Sequence, residues 1–141
     1  DDWQYMSSFE YFDRANEKGY DKFTQIAANL AQVAKLPKDM RDDLYIFFLT
    51  HSEESTDVNG HRKVKAKTIG KMIDNTLTLE GLFSIVLFGK VVKDENDKLN
   101  YVFETVNNGE NTCKSPDGMF DDARIDNSLK VVKDAIIEYE N

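Results

Sequence analysis

Leu44-Tyr45-Ile46-Phe47-Phe48-Leu49 is a continuous apolar run with β-branched and aromatic content. Such a run offers no polar face to solvent, which is the pattern of a strand covered on both sides, as in a parallel sheet flanked by helices. A helix precedes it. Residues 21–35, DKFTQIAANLAQVAK, place Phe23, Ile26, Ala27, Leu30, Ala31 and Ala34 at helical spacing, with Asp21 as N-cap and Pro37 as a stop just past the end. A helix running directly into a buried strand is the αβ half of a crossover unit. The expected fold is therefore α/β, with a mostly parallel core.

Outward from this centre the pattern changes. Upstream, residues 7–17 read as a shorter helix capped by Ser7 or Ser8 and ended at Gly19. Downstream, Asn59-Gly60 between two polar segments signals a tight hairpin. Thr68–Asn75 suits a short helix. Phe83–Val92 is strongly apolar, Asp94–Lys98 is a turn-rich break, and Leu99–Val106 alternates. Those features predict an antiparallel hairpin extending the sheet. Residues 126–140 form a terminal amphipathic helix with Leu129, Val132, Ile136 and Tyr139 on one face. The 141 residues contain no repeat and no low-complexity linker, and read as a single domain over 1–141.

Bulk properties narrow the function classes. The apolar fraction of 40% argues against disorder. No apolar run reaches the ~18 residues that a membrane-spanning helix needs. Asp1-Asp2-Trp3-Gln4 lacks the basic start and apolar stretch of a signal peptide. The single cysteine, Cys113, permits no intrachain disulfide and fits a reducing compartment. A cytoplasmic chain with no membrane role is expected. The net charge of −8 argues against the chain as a whole being an electrostatic binder of nucleic acid. Residues 61–72, HRKVKAKTIGKM, are the exception, with five Lys or Arg and no acid.

Ligands of open α/β sheets bind at the carboxyl ends of the strands. Two polar clusters occupy such places: Asp1-Asp2, if a strand leads into it, and Thr50-His51-Ser52-Glu53-Glu54 after the apolar run. An acid at a strand end holds Mg²⁺ beside nucleotide phosphates, and a hydrogen-bonding residue at the end of a neighbouring strand senses the γ-phosphate or orients a water. The plain alternatives are solvated charge for the acids and a satisfied loop residue for His51. His51 and His61 have no zinc-ligand spacing, and nothing marks an activating base for Cys113. None of the seven glycines lies in a G-x-x-x-x-G-K-[ST] context, so these residues contain no loop to cradle a triphosphate.

Asp1-Asp2-Trp3-Gln4-Tyr5 resembles the end of the Walker B strand in RecA-like P-loop ATPases encoded by phages and prophages. FEYFDRANEKGYDKFTQIAANL resembles the helical stretch that follows there. LYIFFLTHSEES is similar to the next core strand with its terminal Thr-His, and KAKTIGKMIDN and TCKSPDGMF to two later patches. The resemblance spans nearly the whole chain, and DDWQY, THSEE and KSPDGMF are its most specific parts.

The resemblance implies a partial RecA-like P-loop NTPase core, from the Walker B strand end onward, lacking the Walker A segment. It implies ATP and Mg²⁺ as cofactors of the intact protein, and a role in phage DNA recombination or replication of the single-strand-annealing type. Asp1 and Asp2 would be the Walker B acids, with Asp2 toward the metal, and His51 the sensor. Lys114 would lie near a nucleotide held by a neighbouring subunit of a homo-oligomer. The missing Walker A loop implies that this stretch alone does not hydrolyse ATP.

In such ATPases a loop after the sensor strand meets single-stranded DNA. Arg62, Lys63, Lys65 and Lys67, alternating around Val64 and Ala66, follow His51 at that place. An extended ribbon with its charge on one edge would track a phosphate backbone. The plain alternative is a solvated hairpin whose lysines blunt a sheet edge. A rival of another class is a non-catalytic structural or protein-interaction module, in which a partner covers apolar surface and unpaired sheet edge.

Overall fold

The computed structural model describes residues 3–68 and 78–141. Asp1, Asp2 and all of the expected helix Thr68–Asn75 except Thr68 lie outside them. Helix α1 (Trp3–Asp13) and helix α2 (Asp21–Lys35) are followed by a 3₁₀ turn, Leu36–Asp39. Strands β1 (Ser52–Thr56) and β2 (Arg62–Ala66) form one two-stranded sheet. After a 3₁₀ turn at Leu79–Leu82 come β3 (Phe88–Lys93), β4 (Leu99–Glu104) and β5 (Arg124–Asp126), a three-stranded sheet in that order, and then helix α3 (Leu129–Glu140). The chain divides into two compact units, Asp1–Glu54 with Lys65–Leu82, and Ser55–Val64 with Phe83–Asn141. The β1–β2 hairpin contributes residues to both.

In the first unit, α2 runs over the residues that its periodicity marks. It buries Ile26, Ala27, Leu30 and Ala34 on one face, and Ile26 is fully covered. Asp21 is its first residue rather than its cap, and Pro37 sits in the 3₁₀ turn that ends it. Helix α1 begins earlier than expected. Ser8 does not cap it; its hydroxyl donates to the Gln4 carbonyl at 3.2 Å, one turn back within the helix, which is how an interior serine satisfies itself. Polar contacts tie the two helices together: Arg14 donates to Gln25 Oε1 at 2.6 Å and Asn29 to Glu10 Oε1 at 2.9 Å.

Lys22 lies under the C-terminal end of α1. It is 9% exposed, and its ammonium donates to the carbonyls of Glu17 at 3.1 Å and Arg14 at 3.4 Å. The same nitrogen stands 5.3 Å from the Tyr11 ring and 5.4 Å from that of Phe23. A buried ammonium needs such company: backbone carbonyls of the turn after α1, and aromatic faces.

The parallel core does not form. Both sheets are antiparallel, and Leu44–Leu49 is not a strand. An apolar run records a demand for burial, but a strand also needs a neighbour to complete its backbone ladder. Among the described residues no strand pairs with it. Leu44, Tyr45, Ile46, Phe47 and Leu49 remain 38–45% exposed.

The antiparallel extension is present in the second unit. Strands β3 and β4 pair with Val91 opposite Tyr101 and Lys93 opposite Leu99, and β5 adds Ile125 opposite Phe103. Both hairpins close with the same device. In the first, Asp57 Oδ1 accepts from the N–H groups of Asn59 at 2.8 Å and His61 at 2.9 Å; in the second, Asp94 Oδ1 accepts from Asn96 at 2.9 Å and Lys98 at 3.0 Å. Short acidic side chains turn the chain by bonding backbone a few residues ahead. Gly60, at φ +84°, supplies the left-handed residue of the first turn. Val132 of α3 is 2% exposed, whereas Leu129 and Tyr139 of the expected apolar face stay exposed.

Candidate functional site

The two sequence patches at the start of the chain and after the apolar run meet in the first unit. Gln4 lies in the first turn of α1 and is 8% exposed. Its Oε1 accepts from the Thr50 hydroxyl at 2.7 Å and from the His51 backbone N–H at 3.0 Å, residues 46 and 47 positions away. The amide N–H of His51 can only donate, so the Gln4 atom facing it has to be the oxygen. The His51 carbonyl accepts from the Lys67 N–H at 2.8 Å. The backbone of His51 is thus held on both sides. Its ring meets Tyr5 edge-on, with centroids 6.5 Å apart and planes at 85°. The His51 residue is exposed, and its backbone is fixed on both sides.

Asp1 and Asp2, the residues expected to hold Mg²⁺, fall outside the described residues. Among the described residues no group of three or more His, Cys, Asp or Glu side chains is placed to hold a metal ion.

The expected nucleic-acid residues are shared between the units. In the first, Lys65 pairs with Glu53 at 3.0 Å, and Lys67 is exposed beside His51. In the second, Lys63 donates to the Gly109 carbonyl at 2.8 Å and Arg62 lies 3.8 Å from Glu110. Strand β2 is therefore partly neutralised along its length. Lys114 belongs to the second unit: its backbone pairs with Val86 in an isolated antiparallel bridge, at 3.0 and 2.8 Å, and its side chain is exposed.

The second unit also holds a buried carboxylate that the sequence reading did not single out. Glu104, 4% exposed, accepts from Lys90 at 3.2 Å, Arg124 at 3.2 Å and Asn111 at 2.8 Å. Burial pushes its carboxyl up, but the three donors outweigh this and hold it below the ordinary carboxylate value. A carboxylate with three donors has little capacity left for a ligand, so the cluster is structural. Cys113, buried in the same unit, has its thiol pushed up to about 11 by burial. It is a neutral thiol at physiological pH and not an activated nucleophile.

Gln4 and Tyr5 were not foreseen as site residues, and Thr50 only as a member of the polar cluster after the apolar run. DDWQY and THSEE each stand out as polar punctuation in an apolar context, but nothing in a 46-residue separation announces that they touch. Comparison with protein-family models, with curated proteins and with solved structures finds no match. Among the described residues no helix is long and apolar enough to cross a membrane.

Proposed function

We propose that this chain is the later part of a phage-type ATP-binding and ATP-hydrolysing protein that acts in DNA recombination or replication in the host cytoplasm. The observation that carries the reading is the contact of Gln4 with Thr50 and His51. Two patches of the resemblance, DDWQY and THSEE, would have to adjoin if one supplied metal-binding acids and the other a phosphate sensor, and the contacts of Gln4 and Tyr5 with Thr50 and His51 support that.

In this reading Asp1 and Asp2 would hold Mg²⁺, which would offset the charge of the nucleotide phosphates, and His51 would address the γ-phosphate or the attacking water. The phosphate-binding loop comes from outside these 141 residues, since none of their glycines can form it. Lys114 reaches a nucleotide on a neighbouring copy in a homo-oligomer. Arg62, Lys63, Lys65 and Lys67 contact single-stranded DNA once assembly adds enough such strands to overcome the net charge of −8. The strand expected to end at His51 does not form, so the reading rests on the Gln4 contact and not on a strand-end position.

The test is Mg²⁺-ATP binding and hydrolysis by the protein that includes the residues upstream of Asp1, beside this chain alone. Binding and turnover by the longer protein, with neither in the shorter, support the reading. Tight Mg²⁺-ATP binding by the shorter chain contradicts the division of labour, and failure of both contradicts the activity.

A second reading is a non-catalytic interaction module. The exposure of Leu44, Ile46, Phe47 and Leu49 favours it, because apolar surface in water invites a covering partner. A start codon just before Asp1 favours the module; a phosphate-loop sequence within about one domain's length upstream favours the ATPase.

A further inference from the structure

We propose that Asn59 is a site of spontaneous, backbone-assisted deamidation, and that the fold directs this chemistry to the β1–β2 turn while protecting the same dipeptide elsewhere. The chain contains two Asn-Gly pairs, Asn59-Gly60 and Asn108-Gly109. Asparagine is thermolabile, and a following glycine leaves its own nitrogen unshielded by a side chain. Both asparagines are exposed, so exposure does not separate them. Hydrogen bonding does. The Asn59 side-chain amide bonds to none of the described residues, and the Gly60 N–H is held by one bond, to the Asp57 carbonyl at 3.0 Å. Asp57 Oδ1 takes the N–H groups of Asn59 and His61, neither of which reacts. At the second pair, Asn108 Oδ1 accepts from the N–H groups of Glu110 at 2.9 Å and Asn111 at 3.1 Å, and the Gly109 N–H donates to Asn107 Oδ1 at 2.7 Å. The Gly109 and Glu110 carbonyls are bonded in turn, by Lys63 Nζ at 2.8 Å and the Val64 N–H at 2.7 Å.

The reaction needs only water and hydroxide. Hydroxide removes the Gly60 N–H proton, and the nitrogen attacks Cγ of Asn59. The N–Cγ bond forms, the Cγ–Nδ2 bond breaks, and Nδ2 leaves as ammonia with a proton from water. Water then opens the cyclic imide at either carbonyl, giving aspartate or isoaspartate with no change of oxidation state. For attack, the side-chain carbonyl has to swing onto the following nitrogen. At Asn59 that releases one backbone bond in an exposed turn. At Asn108 it breaks both Oδ1 bonds and the Gly109 bond, which slows the step by about tenfold or more. The product places a further negative charge beside the basic strand Arg62–Ala66.

The test is peptide mapping by mass spectrometry of the protein incubated at mildly alkaline pH and sampled over time, once folded and once in denaturant. The folded protein is expected to convert Asn59 about tenfold or more faster than Asn108, with isoaspartate in the Asn59 peptide; in denaturant, where the bonds are gone, the two rates are expected to agree within about threefold. Asn107→Ala deletes the acceptor of the Gly109 N–H, and is expected to speed conversion of Asn108 severalfold while leaving Asn59 unchanged. No conversion at Asn59, or a rate there equal to or below that of Asn108 in the folded protein, overturns the proposal. A difference that persists in denaturant also overturns it, because neighbouring sequence and not the fold would then set the rates. An unchanged Asn108 rate in Asn107→Ala overturns the protection assigned to that bond.

Discussion

Gln4 and His51, 47 positions apart, are joined by a 3.0 Å hydrogen bond from the His51 N–H to the Gln4 side-chain oxygen, which also receives the Thr50 hydroxyl at 2.7 Å. The bond connects the first turn of a helix to the residue that follows the most apolar segment of the chain. It makes a local constellation out of two distant patches, and it has a stability consequence separate from catalysis. Gln4→Ala removes one acceptor from two donors in a partly buried setting. The expected loss is about 1–2 kcal/mol, read as a lowered midpoint in chemical denaturation of this chain. An unchanged midpoint would mean that water replaces the glutamine oxygen at no cost.

Lys22 supplies a second check on the first unit. Its ammonium binds the Glu17 and Arg14 carbonyls in the turn after α1 and lies against Tyr11 and Phe23. Lys22→Met keeps most of the buried stem and deletes the charge. It is expected to cost about 1–2 kcal/mol, from the lost carbonyl bonds and the lost cation–π contacts. Denaturation followed by helical circular dichroism measures it. A variant as stable as wild type would show that the stem alone accounts for the burial.

The agreement between sequence and structure is uneven for physical reasons. Helix α2 was legible, its cap aside, because its buried positions recur with one period and the helix closes its own hydrogen bonds. The β3–β4 hairpin was legible because the turn residues Asp94–Lys98 separate two apolar stretches that pair locally. Leu44–Leu49 misled because a strand in a parallel sheet depends on remote neighbours, and composition shows only the wish for burial. The start of α1 misled because Ser8 looks like a cap until its hydroxyl is seen bonded inside the helix. The site was half legible: His51 stood out as the polar residue after an apolar run, whereas Gln4 gains its meaning only from a contact that spacing does not encode.

Glu104 predicts an acid response in the second unit. Its carboxyl is held below the ordinary value of 4.5 by Lys90, Asn111 and Arg124, against the opposing effect of burial. A depressed folded-state pKa means that the stabilisation is fully present above pH 4.5 and is lost as pH falls through the lower folded value. Stability measured between neutral pH and about pH 3 should therefore decline on the acid side. Glu104→Gln should be less stable at neutral pH, by about 1–2 kcal/mol given that Lys90 and Arg124 remain partly solvated, and should show a shallower acid decline. An identical acid profile in the variant would assign the response to other carboxylates.

The basic strand yields an expectation on DNA. Replacing Arg62, Lys63, Lys65 and Lys67 by alanine in the full-length protein should weaken single-strand binding and flatten its salt dependence by about 0.7 per lost phosphate contact. Because Lys65 already pairs with Glu53 and Arg62 lies by Glu110, the variant also unmasks two acids, which adds to the loss. Filter binding or fluorescence anisotropy across a salt series measures both quantities. Unchanged affinity and slope would return the strand to the role of a solvated hairpin edge.

The most direct measurement is single-turnover Mg²⁺-ATP hydrolysis by the full-length protein and its His51→Ala variant, with nucleotide affinity measured in parallel. The account predicts hydrolysis by the wild type, a drop of about a hundredfold or more in the variant, and nucleotide affinity within a few-fold. Equal hydrolysis rates in the two proteins, or no Mg²⁺-ATP binding by either, would contradict it.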